Sequence, residues 1–175
     1  MRIASSVVVL ALAALPSLAT AQSSAPAADA FRHNAAGMEK NLVAAAEEMP
    51  ADKYGYKPTP AQMTYAEIIL HVAQDNDEAC PPIGGAKAPE RPKLTPTDDK
   101  TKLVARLRDS FAFCEQSVAH LDDSNLAGNV SAFGAQWTRV GLMMERVDDW
   151  SDHYSQFAIY LRLNNLLPPT AKPRS

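Results

Sequence analysis

Residues 140–169 read VGLMMERVDDWSDHYSQFAIYLRLNNLLPP, and the fold turns on how this stretch is read. Apolar side chains recur at Met143, Val147, Trp150, Tyr154, Phe157 and Leu161, in steps of three and four. That spacing lines one face of an α-helix. Glu145, Asp148 and Asp152 turn to the other side, where water can solvate them. Asp149 and His153 do not follow them. Four residues apart, they stack on one line of the helix, which borders the apolar stripe and continues to Tyr160. A carboxylate and an imidazole one turn apart at the edge of a buried face can converge on one metal ion. The plainer reading is a half-buried Asp–His hydrogen bond, the usual state of such pairs. Tyr160 has two readings as well, a hydrogen-bond donor to substrate or a core tyrosine.

Three further amphipathic segments precede this one. Phe31, Ala35, Met38, Leu42, Ala45 and Met49 predict a helix from a cap at Asp29 to about Glu48, stopped by Pro50. After a loop punctuated by Pro and Gly, Thr64 and Glu67 form a capping box for a second helix. Its buried side carries Tyr65, Ile68, Ile69, Val72, Asn76 and Ala79, and Cys80-Pro81-Pro82 should end it. A long connection then runs to about Pro96. Thr97 starts a third helix, with Val104, Leu107, Phe111, Cys114, Val118 and Leu121 as its stripe. A second long connection, residues 122–136, holds the sequon Asn129-Val130-Ser131, and helix four should run from about Trp137 to Asn165, with Pro168 and Pro169 ending it. No strand-like alternation of useful length is present. The expected fold is all-α, a four-helix bundle with long crossover connections.

The chain of 175 residues is the length of one domain. Arg2, the apolar run Val7–Leu15 and the small-residue site Ala19-Thr20-Ala21 read as a secretory signal peptide over residues 1–21. The run is too short to span a bilayer, and no other segment is long and apolar enough. Residues 22–28 would be a disordered tether, 29–169 the bundle and 170–175 a loose tail. The expectation is export, to the periplasm or beyond. Removing the leader leaves 16 basic against 20 acidic residues, which gives no basic patch for nucleic acid. Cys80 and Cys114 are the only cysteines. In an oxidising compartment they would pair as a disulfide, and the alternative is two separate buried thiols. No phosphate loop, CxxC, HExxH, nucleophile elbow or di-iron ExxH pair occurs, and Met143-Met144 reads as core filler.

Three histidines remain. His33 and His120 lie off their helical stripes and receive no role. His71 lies at the margin of the buried face of helix two, where on its own it reads as a hydrogen-bonded core histidine. Two blocks change that reading. Residues 56–80, YKPTPAQMTYAEIILHVAQDNDEAC, and residues 152–169, DHYSQFAIYLRLNNLLPP, resemble in order the exported bacterial branch of the DinB-like superfamily. The resemblance covers nearly all of the mature chain.

It implies a bundle with long crossovers, often a homodimer, and a metal triad of one histidine on helix two and two histidines four apart on helix four. Carried onto this sequence, those positions are His71, Asp149 and His153. The middle one departs from the pattern: it is an aspartate. Two histidines and one carboxylate with open positions suit zinc, nickel, iron or manganese. The departure fits equally a member that has lost its metal. The resemblance also implies enzymes acting through an open metal site, thiol-dependent transferases and hydrolase-like amidase or isomerase chemistry among them. One reading is therefore a metal-dependent hydrolase or transferase whose small-molecule substrate the sequence does not name. The other is a non-catalytic ligand-binding or stress-related bundle.

Overall fold

The computed structural model describes residues 23–173, so the leader over residues 1–21 lies outside the described residues. Four helices form the body: α1 Pro26–Glu48, α2 Tyr65–Gly84, α3 Lys100–Val118 and α4 Arg139–Leu163. α1 and α2 each pack against both α3 and α4. The contacts fix the directions. Asn76 meets Ser110 and Cys80 meets Cys114, so α2 and α3 run parallel. Along α2 and α4, Tyr65 meets Phe157, His71 meets His153 and Asn76 meets Trp150, so these two run antiparallel. A parallel α2–α3 pair requires residues 85–99 to travel back the full length of the bundle, which is why that connection is long.

Local chemistry sets the boundaries, and several differ from the sequence expectation. α1 begins at Pro26, before the expected Asp29, so residues 26–28 belong to the bundle and not to the tether. Pro26 is suited to a first helical turn because its missing N–H has no intrahelical partner there. The free amides of Ala27 and Ala28 donate to the Asp123 carboxylate at 3.0 and 2.9 Å, a cap supplied from the far end of the chain. Asp29 pairs instead with Arg32. The Thr64–Glu67 capping box is present as expected. α2 runs through Pro81 and Pro82 and stops at Gly85, whose φ of 74° and whose N–H to the Pro81 carbonyl form a left-handed cap. α3 is capped by Asp99, whose side chain accepts from the Lys102 amide, and not by Thr97.

The segment between α3 and α4 is a β-hairpin, which the sequence reading missed. β1 (Asn129–Ala132) pairs antiparallel with β2 (Ala135–Thr138) across the two-residue turn Phe133-Gly134. Both turn residues have positive φ, 53° and 70°, the geometry that matches strand twist in tight hairpins. Thr138 then caps α4, so α4 starts at Arg139 and not at Trp137. It ends at Leu163, two residues before the expected Asn165, which stands at φ 60°. The tail is docked as far as Lys172. The Tyr154 hydroxyl bonds the Thr170 hydroxyl at 2.8 Å and accepts from its amide at 3.0 Å, while Lys172 pairs with Glu48.

The core centres on Trp150, fully buried between the rings of Phe31 and Phe111. Its indole N–H donates to Asn76 at 2.7 Å, and Asn76 donates to Ser110 at 3.1 Å, so one polar chain ties α4 to α2 and α3. Cys80 and Cys114 form a disulfide, fully buried, with Cα atoms 5.0 Å apart. One turn further on, the helices touch: a Cβ at Gly84 would lie 1.8 Å from the Ser117 carbonyl oxygen.

Candidate metal centre

The antiparallel crossing of α2 and α4 brings His71, Asp149 and His153 together. One donor atom from each lies within 4.8 Å of the other two. The His71 and His153 rings meet edge to face, 4.7 Å between centroids. His153 Nε2 is 3.2 Å from Asp149 Oδ1, the distance their helical spacing predicts. Ligands about 2.0–2.2 Å from one tetrahedral ion lie about 3.3–3.6 Å apart, so closing the set draws the widest pair together by at most about 1.5 Å. His153 is almost fully buried, whereas 40% of the His71 side chain is exposed, so the cluster sits at the rim of the core. Tyr160 is not part of it. Its hydroxyl donates to the Met63 carbonyl at 2.8 Å, which makes it a core tyrosine.

The structure adds three residues that the sequence reading did not place here. Arg146 is fully buried, with its guanidinium between the Phe133 and Trp150 rings. Its Nη2 stands 2.6 Å from Asp149 Oδ2 and 3.8 Å from Asp75 Oδ2, and its Nε is 3.4 Å from Glu145 Oε2. Asp75 Oδ2 lies 3.3 Å from His71 Nε2. Glu145, expected to face water, instead turns one buried oxygen toward this guanidinium. The hairpin closes the site from above: Phe133 covers Arg146, and its backbone N–H donates to Glu78 at 2.6 Å.

Three carboxylates around one guanidinium leave a surplus of two negative charges. Burial answers part of it by pushing the Asp75 and Glu145 carboxyls above their ordinary range. At Asp149 burial acts the same way, yet the His153 contact and the Arg146 charge outweigh it, and its carboxyl is held below the usual value. The mirror holds for His153: burial favours the neutral ring, and the Asp149 carboxylate reverses this and raises its pKa.

The residues fit a divalent cation by their chemistry: the donor set of two imidazoles and a carboxylate is that of borderline metals. His153 Nδ1 is buried with no hydrogen-bond partner, whereas Glu145 Oε2 and Asp149 Oδ2 are met only by the Arg146 guanidinium. Beside Asp149 an open depression of about 540 Å³ is lined by Trp137, Met144, Glu145, Asp148 and Asp152.

Comparison with known proteins agrees with this architecture. A DinB-like protein from Bacillus subtilis superposes with a TM-score of 0.67 at 17% identity, over 83% of this chain and 99% of that one. A DinB-like protein from Bacillus cereus gives 0.64 at 13% identity, over 81% and 95%. A conserved protein from Enterococcus faecalis gives 0.62 at 15%, over 77% and 95%. At such identities the likeness speaks for the fold alone. No curated protein matches the sequence. The profile of the DinB superfamily matches residues 35–147, well over half of the sequence, and the chain belongs to that superfamily.

Proposed function

We propose that this is an exported metalloprotein of the DinB superfamily, with His71, Asp149 and His153 holding one divalent transition metal for hydrolase or transferase chemistry. The observation that carries the reading is the convergence of three donor atoms from two helices within 4.8 Å, one of them from Asp149, which also lines an open depression. Three protein ligands leave positions free, the arrangement of catalytic and not structural sites. When bound, such an ion polarises a carbonyl or makes water or a thiol more acidic. The chain supplies the rest. Arg146 holds one oxygen of Asp149 at 2.6 Å, which leaves the other beside His153 Nε2 at 3.2 Å. Trp150 and Phe133 keep water from the guanidinium. Glu145, Asp148 and Asp152 give the depression an acidic wall suited to a neutral or cationic substrate.

Export is part of the proposal. It rests on the leader-like residues 1–21 and on the buried Cys80–Cys114 disulfide, which needs an oxidising compartment. Intact mass of secreted protein should begin at Gln22.

A second reading is favoured by Arg146 itself. A guanidinium on Asp149 already gives that carboxylate a cation, as in a bundle that has dispensed with metal. Elemental analysis of protein purified without a histidine tag separates the two. The first reading expects about one zinc, nickel, iron or manganese per chain, lost in Asp149→Ala and His153→Ala. Metal-free protein whose melting temperature no divalent ion raises would overturn it.

A further inference from the structure

We propose a second binding site, for a small organic monocarboxylate with an apolar tail, between α3 and the returning connection 85–99. It lies on the α3 side of α2, whereas His71 faces α4. Asp77 is the hub. Its carboxylate receives Arg91 through Nε and Nη2, both at 3.1 Å, and Arg106 through Nη2 at 2.5 Å. Arg91 also donates to the Asp109 carbonyl at 3.0 Å and rests on the Phe113 ring, and Arg106 donates to the Ala73 carbonyl at 3.2 Å. Two guanidinium groups thus share one half-buried carboxylate.

Arg106 is 8% exposed, and its Nη1 is buried with no hydrogen-bond partner. A charged donor left in that state is costly, and an acceptor arriving there is correspondingly favoured. Arg106 lines a cavity of about 400 Å³ together with Arg91, Pro92, Leu94, Lys102 and Ala105. That is the size of a small-ligand pocket, and it has the usual composition of an apolar wall with a few convergent polar groups. The unpaired Nη1 of Arg106 can donate a charge-assisted hydrogen bond to one carboxylate oxygen, and Pro92, Leu94 and Ala105 offer a surface for a hydrocarbon tail. Asp109 at the same cavity adds a negative charge that opposes a dianion, so a monocarboxylate is preferred to phosphate.

The test uses the full mature protein, labelled with ¹⁵N and titrated with hexanoate, with hexanol, hexylammonium and inorganic phosphate as controls. Hexanoate should give saturable amide shifts clustered at Arg91, Leu94, Lys102, Ala105 and Arg106, and the three controls should not. Replacing Arg106 with Met removes the anchor and should weaken binding at least about tenfold, the size of one lost charge-assisted hydrogen bond. Because Arg106 supports the core, Ala105→Trp is measured beside it. Residue 105 is exposed on α3, so a large ring there fills the cavity while both guanidinium groups stay in place. Loss of the hexanoate shifts in a folded Ala105→Trp protein supports the site. Equal shifts from hexanol, preference for phosphate, unaltered hexanoate binding in Ala105→Trp, or no saturable shift at all would overturn it.

Discussion

Breaking the Cys80–Cys114 disulfide tests the link between the fold and its compartment. The bridge closes a loop with a sequence separation of 34. In the chain-entropy treatment that closure removes about 12.6 cal/mol/K from the unfolded chain, or about 3.8 kcal/mol at 25 °C. Native domains of this size are stable by only about 5–15 kcal/mol, so the bridge supplies a quarter or more of the total. It is also fully buried between two parallel helices whose connection is long and carries little of the core, so no nearby turn replaces it. Urea unfolding with and without a phosphine reductant measures the loss. With an m-value near 2 kcal/mol/M the midpoint should fall by about 2 M. The Cys80→Ala/Cys114→Ala pair should fall at least as far, since it also removes buried sulfur. A shift corresponding to less than about 1 kcal/mol would refute the reasoning, because the unfolded chain would then be losing little freedom to the crosslink. A chain that keeps two alkylatable thiols when denatured without reductant would refute it outright.

Three further outcomes follow from the geometry. Arg146→Met removes the only cation among three carboxylates in a buried cluster and should cost about 3–5 kcal/mol in urea unfolding, with a larger zinc-induced rise in melting temperature than the native protein shows. Gly84→Ala drives a methyl group into the Ser117 carbonyl and should destabilise by about 1–3 kcal/mol in thermal unfolding, against the usual gain from replacing a helical glycine. Asp99→Ala removes the α3 cap and should lower the melting temperature at pH 7. The Lys102 amide bond and the Lys102 ammonium hold the Asp99 carboxyl below its ordinary pKa, so its contribution is complete above about pH 4 and is lost as pH falls through the lower folded value. The gap between variant and native protein should therefore narrow by pH 3.

Much of this was legible in the sequence. The helical stripes are long, the Thr64 capping box is local, and the pairing of Asp149 with His153 follows from a spacing of four. His71 needed the resemblance, because nothing in its own helix says which neighbour it faces. Arg146 was missed for a different reason. Charged residues read as exterior, so the sequence pattern places the α4 stripe through Val147 and Tyr154. Yet Met143, Arg146, Trp150, His153 and Phe157 also step by three and four, and these are the residues the core buries. The signal was an arginine in phase with Trp150. The hairpin escaped because a four-residue strand offers only two inward positions, here Val130 and Ala132. The early start of α1 depends on Asp123, nearly a hundred residues away, and no local rule reaches that far. Pro81 and Pro82 fall in the last turn of α2, so only the Asp77 and Glu78 carbonyls lose their i+4 donors and the helix ends within three residues.

Arg146 also bears on why position 149 is an aspartate where the resemblance expects histidine. A histidine would leave the buried guanidinium facing a neutral ring, with Asp75 at 3.8 Å and Glu145 at 3.4 Å as its nearest counter-charges. Aspartate gives it a partner at 2.6 Å. The two oxygens of that carboxylate divide the work: Oδ2 meets Arg146, and Oδ1 points to His153. A ligand with two donor atoms can hold a guanidinium on one and face an ion with the other, which an imidazole cannot do without losing its second nitrogen as a donor. The substitution therefore does not in itself mean a discarded metal. It exchanges a neutral side chain for an anionic one beside Arg146, and the carboxylate and the guanidinium neutralise each other. On that argument Asp149 and Arg146 act as one unit in this chain, the guanidinium balancing the carboxylate that stands where the resemblance has histidine.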